Sequence, residues 1–492
     1  MALGPLITLW GSTAKDHSHE GSRLRPRDER YAGEVRLHLP LPAGIAVART
    51  AARVSRLVGA GGGTTVPGKV LSLLDPDALD RLAERLPLGS ALVSATNGKT
   101  TTAAMAAEIF SPRLRLAHNN SGANLVSGVA STLLSTRGAE LGLFEVDEAA
   151  LSDVARRTRP RALCLGNLFR DQLDRYGELE LVAARWRAAV RDLSPQAALV
   201  VNGDDPQVGD LSRAHAGALV FGLDDPRHAM QELPHAADSK WCLVCGRPYE
   251  YAAAYVGHLG DYRCTSCGHG RPPLAVAAWD VELRGLDGVD FTLTAPAGER
   301  RVRLRVPGLY NVYNALGAAS LALALGAGLE EIGAGLERFA AAFGRFERIE
   351  VGDRRLLVLL VKNPAGANEA VRTLVAGGAP RLAVLALNDE IADGRDVSWI
   401  WDVDWEPLFE GLEQVIVTGE RAAELALRCK YGGFAEEAID VVPDLGRALD
   451  RGLELTSGGG ELVVLPTYTA MLALRKIVSE RGFVRPYWER AA

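Results

Sequence analysis

A chain of 492 residues, 48% of them hydrophobic, is too long for one ordinary domain and can bury two or three cores. Its formal charge of −6 and pI near 5.9 argue against a general affinity for polyanions, so no nucleic-acid partner is expected. No apolar run reaches bilayer length, the first ten residues lack the basic start of a secretory signal, and six cysteines are too few for a disulfide scaffold. A cytoplasmic, reducing setting follows.

Residues 1–43 are charged and turn-rich without a clear period, and read as a disordered tail. From Ile45 to Leu57 apolar residues recur at helical spacing among Arg49, Arg53 and Arg56, and the glycine-rich Gly59–Gly63 reads as a flexible connection. Ser90–Ala95 is a short apolar strand that runs into Asn97-Gly98-Lys99-Thr100 and the helix-forming Ala103–Phe110. Strand-like runs follow at Leu141–Val146, Ala162–Gly166 and Ala198–Val201, each succeeded by a helical or polar segment. That alternation predicts a mostly parallel sheet covered on both faces. A second block repeats it with Leu356–Val361, Leu382–Leu387, Gln414–Val417 and Glu461–Leu465. The expected organisation is a central α/β domain over 44–342 with a cysteine-bearing insert at about 234–273, then a smaller α/β domain over 343–492.

A strand, then Asn97-Gly98-Lys99-Thr100, then a helix is a setting in which backbone N–H groups and a lysine cradle phosphates, with the Thr100 hydroxyl able to ligate Mg²⁺. Val93 stands where the strict motif wants glycine, which leaves an ordinary Gly-Lys turn as the alternative. Phosphoryl transfer also needs carboxylates at neighbouring strand ends. Glu145-Val146-Asp147-Glu148 closes one strand, and Asp171 and Asp174, three apart on one helical face, follow the next. Cys242-x-x-Cys245, 18 residues, then Cys264-x-x-Cys267 has the spacing of a four-cysteine zinc ribbon, a closed tetrahedron with a structural role. The insert's Lys240, Arg247, Arg263 and Arg271 are offset by Asp238, Glu250 and Asp261, thin support for a nucleic-acid role. Cys164 and Cys429 read as core residues. In the last domain Lys362-Asn363-Pro364, Asn388–Asp402 and Pro466-Thr467-Tyr468-Thr469 each follow a strand and suggest a cleft facing the phosphate loop. Trp399 and Trp401 read as core or interface anchors.

In the same order, Thr96-Asn97-Gly98-Lys99-Thr100-Thr101, the Glu145 run, Asp171–Gly177, Asn202–Pro206, Pro307–Asn314 and Gly344-Arg345-Phe346-Glu347 resemble the Mur ligase family. The resemblance implies a P-loop central domain and an enzyme that uses ATP to phosphorylate a carboxylate, which an amine then attacks. It implies that Thr96, Asn97, Gly98, Lys99, Thr100 and Thr101 hold the ATP phosphates, Lys99 meeting the β- and γ-phosphates. Thr100 and Glu145, with Asp171 nearby, would hold Mg²⁺, while Asn311, Asn314, Asp204 and Arg345 would lie around the nucleotide. Four departures stand out: Ala95 replaces a glycine, Gln172 replaces a metal-associated histidine, Trp186 or Arg185 falls where many members carry a carbamylated lysine, and little chain precedes the central domain for a UDP-gripping domain.

The last domain, the Zn²⁺ insert and the missing UDP grip resemble the MurT family, the ligase subunits of lipid II isoglutaminyl synthase, from about Ala43 to Tyr487. By that resemblance the reaction amidates the α-carboxylate of D-glutamate in lipid II, at the inner face of the membrane. The ammonia comes from a GatD-like glutaminase in a heterodimer. Asp396, with Asp393 as the fallback, would complete that partner's Cys–His pair, as a carboxylate steadies an imidazole. Cys164 and Cys429 lack a nucleophile-elbow context, so no glutaminase site is expected here. An amino-acid-adding ligase of the folylpolyglutamate synthase type and a zinc-ribbon ATPase acting on nucleic acid are the alternatives.

Overall fold

The computed structural model describes residues 43–50, 65–119, 123–171, 179–234, 237–340 and 345–484. The expected tail, the Gly59–Gly63 connection, Gln172 and Asp174, and the expected domain junction near 343 lie outside the described residues. Of the first expected helix, residues 43–50 are helical and the remainder is likewise outside.

Two sheets organise the chain. The first takes β1 (Ser90–Ser94), β2 (Leu116–His118), β3 (Leu141–Glu145), β4 (Ala162–Leu165), β5 (Ala198–Asn202), β6 (Leu219–Leu223), β9 (Val276–Leu283), β10 (Val289–Ala295) and β11 (Gly298–Leu304). The order is β11-β10-β9-β6-β5-β4-β1-β3-β2, parallel from β2 across to β9 and antiparallel through β10 and β11. All five residues of β1 are buried, because helices cover both faces of a parallel sheet. Successive side chains serve opposite cores: Ala91 and Val93 join one apolar cluster and Leu92 the other.

The second sheet holds β12 (Arg345–Val351), β13 (Arg354–Leu359), β14 (Leu382–Ala386), β15 (Gln414–Thr418), β16 (Ile439–Val441) and β17 (Glu461–Pro466). Its order is β12-β13-β17-β14-β15-β16, parallel apart from the β12–β13 pair. Val463 and Leu465 face one core, Leu462 and Val464 the other. The expected strands are present within a residue or two. In the first sheet β2, β6, β9, β10 and β11 were not expected, β6 in spite of its apolar run; β11 alternates charged and buried residues, as an edge strand with one wet face does.

Helix Leu309–Ala324, rich in alanine, lies against helix Lys99–Phe110 at van der Waals range. A Cβ on its Gly317 would come within 3.2 Å of Thr102 Cγ2. The insert forms a separate hairpin, β7 (Glu250–Val256) and β8 (Leu259–Arg263), with the four cysteines at its open end.

Candidate active site

The carboxyl ends of β1, β3, β4 and β5 come together at one sheet edge, where open parallel sheets place ligands. The loop after β1 turns at Gly98, whose φ of +88° and 1.9 Å approach of a hypothetical Cβ to Asn314 Oδ1 admit glycine alone. Helix Lys99–Phe110 begins at once, so its free N–H groups face the loop.

Long-range amide and hydroxyl contacts hold that loop. Asn97 N–H donates to Asn167 Oδ1 at 2.9 Å while Asn167 Nδ2 returns a bond to Asn97 O at 2.9 Å. Thr96 Oγ1 accepts from the Phe169 amide at 3.1 Å. Asn97 and Asn363 exchange side-chain bonds of 3.2 and 3.0 Å, which ties the loop to the second sheet's domain. Thr101 lines the cleft beside it, and Thr100, one turn position earlier, is half-buried.

Buried charge is concentrated here. Lys99 Nζ, nearly inaccessible, donates to Ala95 O and to Glu148 Oε2, each at 3.1 Å. Burial works against its ammonium, but Glu148, Glu145, Asp147 and Asp171 outweigh that and lift its pKa above the usual lysine value. Burial also opposes ionisation of Glu148, and Lys99 and Lys362 overcome it, so its carboxyl sits below the ordinary range. Asp171 goes the other way: burial raises its pKa in spite of its ion pair with Lys362. Glu145 Oε2 and Asp171 Oδ1 are buried with no hydrogen-bond partner among the described residues. Orphaned carboxylate oxygens beside a hydroxyl-bearing phosphate loop suit a hard divalent cation. The Asn119 side chain fixes Glu145 through its backbone, accepting from its N–H at 2.8 Å and donating to its carbonyl at 2.7 Å. Trp186, fully buried, donates its indole N–H to Glu148 O at 3.1 Å, whereas Arg185 is exposed.

Between the two sheets a cleft opens beside Gly98, walled by Phe169, Tyr310 and Asn314 on one side and Phe346, Lys362 and Glu369 on the other. Asn311 stands behind it: it donates to Pro307 O at 2.7 Å and accepts from Asn314 Nδ2 at 2.9 Å, orienting Asn314. Asp204, expected near the nucleotide, lies one hydrogen bond behind the cleft, through cleft-lining Tyr313. Its carboxylate is fully buried and accepts from Leu223 N–H (2.8 Å), Tyr313 OH (2.6 Å) and Arg271 Nη1 (3.2 Å), an internal anchor rather than a cleft residue. Arg345 opens β12, and its side chain is outside what the structure describes. Asn119, Asn167 and Asp205 hold the site's loops without having been named individually as site residues, whereas Lys362 belongs to the Lys362-Asn363-Pro364 run that suggested a cleft facing the phosphate loop. A lysine heading the Asn363-Pro364 helix start was the available signal for Lys362.

The four cysteines converge. Their sulfurs lie within 4.8 Å of one another, with Cys242–Cys267 at 3.5 Å and Cys245–Cys264 at 3.4 Å. A tetrahedron with Zn–S bonds of about 2.3 Å needs S–S edges of roughly 3.8 Å, so Zn²⁺ fits. The two knuckles are copies: Gly246 N–H bonds Cys242 O at 2.9 Å and Gly268 N–H bonds Cys264 O at 2.8 Å, both glycines with positive φ.

Asp393 and Asp396 part company. Asp393 is buried and accepts from the Thr469 amide (2.8 Å) and hydroxyl; burial raises its pKa against those bonds. Asp396 is exposed and accepts from Ser398 N–H at 2.9 Å, with Ser398 holding its carboxyl below the ordinary range. Half-exposed Trp401, against Tyr431, lies on the same domain.

This sheet, loop and cleft define a Mur ligase: residues 93–259 match the Mur ligase middle domain. A pseudomurein peptide ligase type C from Methanothermus fervidus superposes with TM-score 0.65 at 20% identity over 84% of each chain. The MurF ligase from Thermotoga maritima in complex with ADP gives 0.60 at 14% identity, over 86% of this chain and 85% of that one. Residues 360–471 match the MurT ligase C-terminal domain. Lipid II isoglutaminyl synthase (glutamine-hydrolyzing) subunit MurT of Streptococcus pneumoniae is 32% identical over 86% of this chain and 94% of its own. The Staphylococcus aureus (strain N315) subunit is 31% identical over 87% and 95%. The chain belongs to the MurT family, a ligase family of the Mur fold. Among the described residues no helix is long and apolar enough to cross a membrane.

Proposed function

We propose that this chain is the ATP-using subunit of a lipid II isoglutaminyl synthase, amidating the D-glutamate α-carboxylate of lipid II to D-isoglutamine. The observation that carries this is the buried Lys99–Glu148 pair with the partly buried Lys362–Asp171 pair beside it at a phosphate loop, in a chain 32% identical to a subunit of that name. A carboxylate resists ammonia in water, and ATP supplies the phosphoryl group that makes it an acyl phosphate. Lys99 exchanges Glu148 for the β- and γ-phosphates, backed by the helix N-terminus and the N–H groups of Gly98 and Lys99. Thr100 Oγ1 and the orphaned Glu145 Oε2 hold Mg²⁺, and Asp171 extends that acidic wall. Lys362, drawn from Asp171, faces charge that builds on the transferring group. Tyr310 and Asn314 border the rest of the nucleotide, with Asn311 steadying Asn314.

Ammonia comes from a GatD-like glutaminase subunit. Exposed Asp396 reaches that partner's imidazole, while buried Asp393 braces the loop against Thr469. Zn²⁺ in the four-thiolate site is structural, since no coordination position remains open. The working domains are 44–342, with the ribbon insert, and 343–492. Lipid II, ATP and ammonium with the purified chain test the reading. The expected product has lost one carboxylate charge, with ADP released. A product that gains an amino acid, or ATP hydrolysis driven by nucleic acid instead, refutes it.

A further inference from the structure

The hairpin β7–β8 that carries the zinc ribbon does not stop at the cysteines. Its closed end, Gly257-His258, is driven into the central domain behind the phosphate loop. His258 is fully buried, packs at a tilt of 53° against the Phe169 ring with centroids 4.6 Å apart, and approaches Asp205 Oδ2 through Nε2 at 3.3 Å. Gly257 has φ +57°, and a Cβ there would come 2.8 Å from Phe169 Cε1. The same Asp205 oxygen accepts from Leu168 N–H at 2.8 Å, and the other caps the helix start at Gln207 and Val208. Leu168 and Phe169 belong to the segment that holds Asn97 and Thr96.

A continuous set of contacts therefore runs from the cysteines to the phosphate loop. β8 spans Leu259–Arg263 between His258 and Cys264, so the five residues of one strand separate the imidazole from a thiolate. The hairpin also forms part of the cleft: Val256 and Leu259 line it. On its other strand Tyr255 O accepts from Arg372 Nη1 at 2.7 Å, and Arg372 pairs with cleft-lining Glu369 at 2.8 Å. His258 Nδ1 has no hydrogen-bond partner among the described residues, a cost that an apolar side chain would avoid. The imidazole is accounted for by what Nε2 does at Asp205.

We propose that His258 is a positioning residue for the nucleotide loop, and that through it the zinc ribbon sets the affinity of the cleft for ATP. This rests on the ATP-site reading above. The test is titration calorimetry of Mg·ATP on the full-length, zinc-loaded chain. His258→Ala should weaken binding about tenfold, the worth of a buried hydrogen bond to a charged group, with zinc content and cooperative melting retained. His258→Gln, which keeps an N–H donor, should recover most of the loss, and KM for ATP should move more than kcat. Chelating zinc from the wild-type chain should lower affinity by a similar factor, and chelation should add little in H258A, because the two changes cut the same connection. An H258A chain that melts cooperatively, holds zinc and binds Mg·ATP as tightly as wild type overturns the proposal. Should H258A not fold, Gly257→Ala carries the test by pushing on Phe169 with the cysteines and imidazole in place; unchanged affinity with zinc bound then overturns it. Lys99→Ala separates the two readings. If wild type binds Mg·ATP no better than K99A, the ATP site itself is refuted, whereas a normal wild type with a normal H258A refutes the coupling alone.

Discussion

Two acidic regions in this chain handle negative charge in opposite ways. At the end of the first sheet Glu145 and Glu148 are buried, the Asp171 side chain is nearly so, and all three share their space with Lys99 and Lys362. In the second domain Asp393 and Asp396 lie three residues apart, one sealed against Thr469 and one in solvent. A buried carboxylate must be balanced by a cation or by hydrogen bonds, so the first region forms a preset site for phosphates and metal. An exposed carboxylate is free to be shared with another chain. Ligand chemistry is proposed for the first arrangement, and partnership for Asp396.

The largest effect should come from removing the cation at the centre of the first region. Lys99→Ala should reduce ADP release at least a thousandfold, on the scale of losing a phosphate clamp. It also strands Glu148 and should cost about 3 kcal/mol of stability, seen as a lower melting temperature. Adding Glu148→Gln should restore the melting temperature without restoring ADP release. If the double variant regains activity, Lys99 serves only as a counter-ion.

Next in size is the metal. Cys264→Ser should abolish stoichiometric zinc and lower the melting temperature by several degrees, since a closed thiolate site contributes folding energy directly. Zinc content by atomic absorption with the melt in parallel checks this. Full zinc occupancy in the variant would contradict four-thiolate coordination.

How much of these regions could be read beforehand follows from how each is assembled. The phosphate loop and both cysteine knuckles are local: strand, turn and helix, or Cys-x-x-Cys-Gly, lie within a few residues, and their chemistry shows in the chain itself. Asn167, Asn119, Asp205 and His258 bond partners 26 to 70 positions away, brought there by sheet order, and their own neighbourhoods do not name those partners. Asp204 shows the converse case. Resemblance placed it around the nucleotide, while in the fold its carboxylate is held by Leu223, Tyr313 and Arg271, of which Tyr313 itself lines the cleft. Asp393 and Asp396 could not be separated by residue type; burial separated them. Antiparallel β11 at the sheet edge was hidden because its alternation carries charges on the wet face.

Asp396→Asn should spare amidation with ammonium and lower glutamine-dependent amidation roughly a hundredfold when the glutaminase subunit is present. Equal loss of both activities would move Asp396 into the ligase site. Its melting temperature should stay at the wild-type value, because the residue is exposed.

The smallest effect should be the pH dependence of Asp393. Burial raises its pKa in the folded chain above its unfolded value, so the native state holds the proton more tightly. The associated stability is fully present below the unfolded carboxylate pKa and is lost as pH rises through the folded one. Asp393→Asn cannot titrate and keeps one bond to the Thr469 amide. It should therefore melt below wild type in mild acid, where the protonated carboxyl is well accommodated, and close that gap as pH rises toward neutrality. Melting curves of both chains across that interval measure the difference. A gap that widens with pH would mean that the ionised carboxylate, held by the Thr469 amide and hydroxyl, is the form this loop is built around.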